Sequence, residues 1–422
     1  MGGGLMQLVA VGVQDTHLTG NPEISFYKVV YRRHTNFSME SIEQSFDGNA
    51  NPGSRITCTI ARNGDLLTNL WLYVKVTNNQ LLDNQDYTNS VGHAIIEYAE
   101  LEIGGQRIDK HYGEWLDIWS ELTVPAEKRD GFNEMIGKTD YGNKTGTWDL
   151  HKLIGSGSSE AQKQIPLLLT IPLQFFFCRH PGLALPLIAL QYHEVKVNIK
   201  FRESNALHRN INGPINQITS FEGVTLYANY VYLDTEERKR FAKMTHEYLI
   251  DQVQHTGPKS TISDKISLEF NHPVKELVWV IRKKGHFVFD YGNVSGSEYT
   301  HNVFNLESNK EKEAEEPFTS GVLQVNGHDR FQERDASYFR LVQPYEHHTR
   351  VPWKHIFCYS FALYPEAHQP SGSCNFSRLD NVYLNLKGMA SKTNGEGELL
   401  VYAVSNNILR ITSGMGGLAY SN

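Results

Sequence analysis

The sequence predicts an all-β chain built as two consecutive antiparallel β-sandwiches of the jelly-roll kind, each of about eight strands, with short connecting helices. Three observations lead there. Aromatic and β-branched runs recur along the chain, separated by Gly, Asn, Asp or Pro. A charged, helix-like connector near the middle is followed by a second set of such runs. The two sets also echo one another in order, with a period on the order of 200 residues, which is a domain-sized duplication rather than a solenoid unit. A propeller would need four-stranded repeats of ~40 to 50 residues, a pattern the chain does not follow.

In the first half the strand-like runs are Ser25 to Tyr31, Leu70 to Val76, Ile95 to Ile103, Ile165 to Phe177, Glu194 to Phe201 and Val224 to Leu233. Between them, Glu114 to Leu122 reads as a helix, with Trp115, Ile118, Trp119 and Leu122 on one face. The connector DTEERKRFAKM, Asp234 to Met244, opens on an Asp cap with Glu237 three residues on, a capping-box pattern. Strand signals then resume at His246 to Gln254, Ile266 to Phe270, Val274 to Ile281, Gly321 to Val325, His355 to Leu363, Asn381 to Leu386 and Leu399 to Val404. The echo is clearest where LEIGGQR (Leu101 to Arg107) answers LQVNGHDR (Leu323 to Arg330). Each is an alternating strand entering a Gly-Gly or Asn-Gly hairpin turn. LWLYVKV likewise answers LVWVIRK, and LYANYVYL answers LLVYAVSN. The expected division is an N-terminal arm over 1–20, a first jelly roll over 21–233, the connector over 234–245, a second jelly roll over 246–412 and a tail over 413–422. Gly285 to Ser320 and Arg202 to Gln217 read as solvated loops, where recognition often resides.

Composition narrows the function classes. The chain has 422 residues, with 40% hydrophobic and 21% charged residues, which is ordinary globular usage. Aromatics at 11% suit half-buried pleated surfaces. Lys and Arg number 40 against 47 Asp and Glu, a net charge of -7, so no global positive field draws in nucleic acid. A genome-coating role is therefore not expected. Nothing approaches ~18 consecutive apolar residues, and LALPLIAL at Leu183 to Leu190 is broken by Pro186. The first residues carry neither a positive region nor a cleavage site, and Met6 stands where a myristoylation motif needs Ser or Thr. Cys58, Cys178, Cys358 and Cys374 are scattered without a C-x-x-C pair, which fits a reducing compartment of synthesis.

Catalytic and metal signals are weak throughout. Gly137, Lys138 and Thr139 resemble the end of a phosphate loop, but Phe132 stands where its first Gly belongs. His347 and His348 lie beside Glu346, yet neighbours on a strand point to opposite faces and cannot gather a metal. Cys178 beside Arg179 and His180 reads as a buried strand cysteine rather than a nucleophile. No enzyme activity, metal or cofactor is expected. Lys28, Arg32, Arg33 and His34 form a basic group, either a solvated strand end or a contact for an acidic partner or an anionic membrane. Of the sequons at Asn36, Asn143, Asn293 and Asn375, Asn293 in the long loop is the candidate glycosylation site, because Asn375 is expected to be packed.

Seven blocks together resemble the major capsid proteins of nucleocytoplasmic large DNA viruses, nearest in look to those of phycodnaviruses and iridoviruses. They are LTGNPEISFYKVVYRRHTNF (Leu18 to Phe37), RNGDL (Arg62 to Leu66), LEIGGQRIDKHY (Leu101 to Tyr112), PGLALPLIALQYHEV (Pro181 to Val195), HEYLIDQVQ (His246 to Gln254), QPSGSCNFSRLD (Gln369 to Asp380) and SGMGGLAYSN (Ser413 to Asn422). The resemblance implies a double jelly roll whose homotrimer forms a capsomer of hexagonal outline in an icosahedral shell. It also implies neighbouring capsomers, minor capsid proteins, a vertex protein, a nearby internal viral membrane, a host receptor met through outer loops, and no direct nucleic acid. The protein would be made in the host cytoplasm and reside in the virion. Lys28 to His34 falls in one of these blocks, which suits an inward, partner-facing position. The alternative of another class is a lectin-like, carbohydrate-binding jelly roll.

Overall fold

The computed structural model describes residues 2–78, 85–87, 90–138, 167–210, 219–283, 316–352, 354–395 and 397–420. It divides into a short unit, Met1–Phe37, and a body, Ser38–Asn422.

The short unit holds helical turns at Gly3–Val9, Val13–Asp15 and Thr16–Thr19, none of which buries a side chain. The strand expected at Ser25 to Tyr31 does not form; a turn lies at Phe26 and Tyr27, which are 90% and 100% exposed. High β propensity is insufficient there, because a strand needs an edge to share its backbone hydrogen bonds.

In the body, the first eight main strands are β1 (Phe37–Gln44), β2 (Arg55–Thr59), β3 (Leu66–Asn78), β4 (Ile96–Ile103), β5 (Gln106–Tyr112), β6 (Leu167–Pro172), β7 (Val195–Phe201) and β8 (Thr219–Leu233). They form two sheets ordered β1-β8-β3-β6 and β2-β7-β4-β5. The next eight are β9 (His246–His255), β10 (Lys265–Ser267), β11 (Pro273–Lys283), β12 (Ser320–Val325), β13 (His328–Asp329), β14 (Ile356–Ser360), β15 (Val382–Lys387) and β16 (Gly397–Thr412). Their orders are β9-β16-β11-β14 and β10-β15-β12-β13. Counted from the start of each half, the two arrangements are identical. The fold is a double jelly roll, and the duplication legible in the sequence is a duplication of topology.

Period-two burial builds each core. Leu70, Leu72, Val74 and Val76 of β3 point inward to meet Val197 and Ile199 of β7 and Leu101 and Ile103 of β4. Leu277, Trp279 and Ile281 of β11 meet Leu384 and Leu386 of β15 in the second half. Each half also turns its hairpin the same way: Gly104 and Gly105 have φ of 58° and 83°, and Asn326 and Gly327 have 49° and 84°. Two successive left-handed residues are what a two-residue type I′ turn requires.

The strands are accompanied by the helices α1 (Gly113–Thr123), α2 (Arg129–Ile136) and the connector α3 (Thr235–Lys243). The connector starts where expected, but Asp234 makes no side-chain cap bond, so the capping box is not closed. Two further expectations change. Among the described residues, the stretch Ile165 to Phe177 contains a strand only at Leu167–Pro172, and Cys178 sits in the helical turn Phe176–Arg179. His347 and His348 lie at the end of the helix Gln343–His347, not on a strand.

The tail is also ordered. Met415–Leu418 pairs with the end of β16, while Leu418 N donates to Gln106 Oε1 at 3.2 Å and the His193 ring meets Gly416 O at 2.9 Å. A Cβ on Gly416 would stand 2.7 Å from Leu190 and 3.2 Å from Ile103, so any side chain there would push on buried residues of the first half. Removing residues 413–422 is expected to lower the thermal midpoint by roughly 3 °C or more. An unchanged melting curve would show that the tail does not hold the halves together.

Candidate functional site: the seam between the sandwiches

Helix α1 follows the β4–β5 hairpin and runs between the halves. Its Trp115, Ile118, Trp119 and Leu122 recur at the spacing of one helical face, as the sequence suggests. The sequence carries no warning of the adjacent face, where Glu114, Asp117 and Glu121 follow at i, i+3 and i+7 and are buried as well. Every residue from Gly113 to Leu122 is buried. The helix begins on glycine because a Cβ there would overlap the carbonyl oxygens of His93 and Ile96.

Each of the three carboxylates is bridged from both sides. Glu114 accepts from Arg202 of the first half at 3.0 Å and from Arg282 of the second at 2.8 Å. Asp117 accepts from Lys354 at 2.7 Å, with the His93 ring at 3.9 Å on the other side. Glu121 pairs with Arg350 at 2.7 Å and with Lys138 across from it. Arg350 reaches further, donating through Nε to Glu121 O at 2.8 Å and through its backbone N to Leu122 O at 3.0 Å. Lys138, which reads in the sequence as part of an ordinary loop, thus belongs to the seam.

Burial pushes the Glu114, Asp117 and Glu121 carboxyls up, but the surrounding cations outweigh it. Arg202 and Arg282 hold Glu114 below the usual carboxylate range, Lys354 does so for Asp117, and Lys138 and Lys354 for Glu121. His93 goes the other way: burial lowers its imidazole more than Asp117 raises it, so the ring stays neutral.

Apolar and strand contacts complete the seam. The sheet β9-β16-β11-β14 is buried on both faces: Leu277, Trp279 and Ile281 face the second core, whereas Val278, Val280, Leu400, Tyr402 and Val404 join the core of the first half. The Tyr402 ring lies 5.3 Å from Trp115 and stacks on His255 at 4.5 Å. Arg179 caps Trp119 at 4.3 Å and pairs with Asp251 at 3.6 Å. Val253 N of β9 donates to Asp109 Oδ1 of β5 at 3.1 Å.

A second buried charge cluster sits against β11 and β14 of that sheet. His348 is held between Glu276 and Glu366, each at 2.9 Å. Burial alone would lower its pKa, but Glu276 and further bonds from Cys358 and Glu366 raise it well above the ordinary value. Among the described residues, no group of three or more His, Cys, Asp or Glu is placed to hold a metal. Burial pushes the Cys178 thiol up to about 12, which leaves it a poor nucleophile.

The sequence-derived candidates fall elsewhere. Lys28, Arg32, Arg33 and His34 are exposed in the short unit, with the His34 ring bonded to Thr35 O at 2.7 Å. Asn293, Asn143 and most of Gly285 to Ser320 lie outside the described residues. Asn375 is exposed rather than packed, and its Oδ1 accepts from Ser377 N at 3.1 Å.

Replacing Asp117 with Ala removes the carboxylate that Lys354 meets inside the seam and is expected to cost about 3–5 kcal/mol, read as a lower urea midpoint. The depressed carboxyls contribute stability that is complete above their unfolded pKa values, near ~4, and is lost as pH falls through the folded values. The melting temperature should therefore drop steeply on acidification below about pH 4, and less steeply in Asp117→Asn. His348 has the opposite sign, with a contribution complete below its unfolded value of ~6.5 and lost as pH rises through the raised one. An imidazole NMR titration should find it protonated at neutral pH.

Comparison with known proteins agrees with this architecture. Residues 25–234 match the family described as major capsid protein N-terminus, and residues 237–417 match large eukaryotic DNA virus major capsid protein. The chain is 47% identical to the major capsid protein of Pyramimonas orientalis virus and 39% identical to that of Paramecium bursaria Chlorella virus 1, in both cases over 100% of each chain. It is also similar to the crystal structure of PBCV-1 VP54 fitted into a reconstruction of the virophage Sputnik, with a TM-score of 0.77 and 35% identity over 94% of this chain and 100% of that one. The Faustovirus major capsid protein, at 13% identity, shares the fold with a TM-score of 0.71 over 95% of this chain and 94% of its own. The duplicated strand order and these full-length matches lead to one assignment: the chain belongs to the major capsid proteins of large eukaryotic DNA viruses.

Proposed function

We propose that this major capsid protein assembles as a homotrimeric capsomer of near-hexagonal outline, and that such capsomers pack side by side into an icosahedral shell. The observation that carries the reading is the identical strand order of the two halves, held together by α1. Two like sandwiches per chain and three chains per capsomer give six like corners, so a threefold object can occupy a sixfold lattice position. The buried ion pairs and the doubly covered sheet support it, because a lattice of defined curvature needs a block whose halves do not hinge. The role is structural rather than catalytic, in keeping with relatives named as capsid proteins. Those relatives lend no support to the sugar-binding alternative.

Finer features belong to the same proposal. The jelly rolls extend over 21–233 and 246–412, joined at 234–245, with an arm at 1–20 and a tail at 413–422. Contacts within the trimer bury more than ~2,000 Å² with an apolar centre, whereas contacts between capsomers are smaller and more polar, so that misplaced units can leave. Lys28, Arg32, Arg33 and His34 face inward, toward minor capsid proteins or the internal membrane. Exposed Phe26, Tyr27, Val30 and Tyr31 beside them offer apolar contact to the same partner. Asn293 is the position at which a glycan would be carried, outer loops meet a host receptor, and a vertex protein fills the fivefold positions. Synthesis takes place in the host cytoplasm.

Size-exclusion chromatography with light scattering is expected to give a species near three times 48.0 kDa. A chain that remains at 48.0 kDa at high concentration would contradict the proposal. Arg32→Glu with Arg33→Glu is expected to leave that trimer intact but to weaken shell assembly; unchanged assembly would remove the inward contact.

A further inference from the structure

The two halves repeat one topology but not one environment. In the second half, the outer face of β11 and β16 is covered by α1, the helix that follows the first hairpin. In the first half, the outer face of the corresponding strands β3 and β8 carries Trp71, Tyr73 and Tyr227, and these side chains remain half-exposed among the described residues. When LWLYVKV is aligned with LVWVIRK, Trp71 stands where Val278 does, and across the strands Trp71 pairs with Tyr227 as Val278 pairs with Tyr402. Tyr227 therefore occupies the place of the tyrosine that packs on Trp115 in the seam. The Tyr73 and Tyr227 rings meet edge to face at 4.9 Å. Around them lies an open groove of ≈ 700 Å³ bordered also by Ser41, Trp71, Met135 and Thr170. The charges correspond too. Arg282 is 13% exposed because Glu114 of α1 covers it, whereas Lys75 at the equivalent place is 45% exposed and pairs with the similarly exposed Glu222.

A helix of the covering kind lies elsewhere in the chain. The helix that follows the second hairpin spans 338–347, as a π-helical turn Tyr338–Val342 continued by Gln343–His347. Where α1 is wholly buried, this helix leaves Leu341 and Val342 each 41% exposed and Tyr345 80% exposed. The His347 ring bonds Leu363 O at 3.0 Å, which brings exposed Leu363 and Tyr364 beside the same end. Glu346 adds an exposed carboxylate there, the complement of Lys75. Among the described residues, one half thus has a partly exposed aromatic sheet face, and the other has an exposed apolar helix of the type that covers such a face. Contiguous apolar patches of this kind mark protein contacts.

We propose that residues 338–347 of one copy seat on the Trp71, Tyr73 and Tyr227 face of a second copy, so that the contact between chains repeats the contact within the chain. The proposal rests on the trimeric reading above and deepens it by naming the surfaces. Because the two surfaces differ, the contact is head-to-tail and generates a ring, not a twofold dimer. Around that ring each sheet face is covered by the helix of the preceding sandwich, alternately from its own chain and from its neighbour.

The test uses the full-length chain. Leu341→Asp with Tyr345→Asp alters two exposed positions and is expected to keep the wild-type far-UV circular dichroism spectrum while raising the concentration at which trimers form by roughly 100-fold or more. Tyr227→Cys with Tyr345→Cys is expected to form disulfides between chains on oxidation, and neither single substitution should do so. Trimers unaffected by the aspartates, or no disulfide between positions 227 and 345 in the assembled double-cysteine protein, would assign this face to another occupant. Either result overturns the proposal while leaving the trimer in place. A wild-type chain that never trimerises would remove the trimeric reading and this contact with it.

Discussion

A helix carrying three carboxylates lies enclosed between two β-sandwiches, and the rest of the molecule is arranged around the cost of keeping it there. Buried charge is tolerated only when it is closely paired, and here each carboxylate is met by groups from both halves. Removing either half would take away part of the charge balance of the other. This coupling, together with the apolar residues of both halves that share one core, makes the sandwiches one block. It also dictates the sheet opposite: β11 and β16 must be apolar on both faces, as Val278 and Val280 alternate with Leu277, Trp279 and Ile281.

The duplication is therefore used asymmetrically. Both halves place a helix after a type I′ hairpin, and both have a sheet able to receive such a helix. Within one chain one of these pairings is made, by α1 on β11 and β16, whereas the helix at 338–347 and the face at Trp71 stay at least partly exposed among the described residues. A repeated fold with one satisfied and one open joint is suited to extension, because the geometry that locks the halves is available again to a neighbour. The π turn at Tyr338–Val342 marks where the second helix departs from the first.

Legibility in the sequence follows physical context. The run LWLYVKV announces β3 because one face is core and its β-branched and aromatic residues alternate accordingly. The strand β1, FSMESIEQ, carries no such signal, since it is an edge strand exposed along most of its length. RITCT of β2 is too short to stand out. Ser25 to Tyr31 misleads in the opposite direction, with ideal β residues but no edge to join. Within α1 the tryptophan and isoleucine stripe is readable, whereas Glu114, Asp117 and Glu121 resemble the solvated side that most helices possess. His347 and His348 read as strand neighbours because their helix is brief and distorted, and the His348 bridge between Glu276 and Glu366 joins residues far apart in the chain.

What the amino-acid order determined by itself was local and periodic: alternation that makes strands, glycine and asparagine that turn hairpins, a charged connector, and a pattern stated twice. Those features depend on neighbours a few residues away, so they survive in a one-dimensional reading. Only the tertiary structure decided which charges would be buried, which sheet would be covered on both sides and which helix would be left open. Those outcomes depend on the desolvation of groups brought together from as far as 237 residues apart, and the energy of a charge is set by what surrounds it in space.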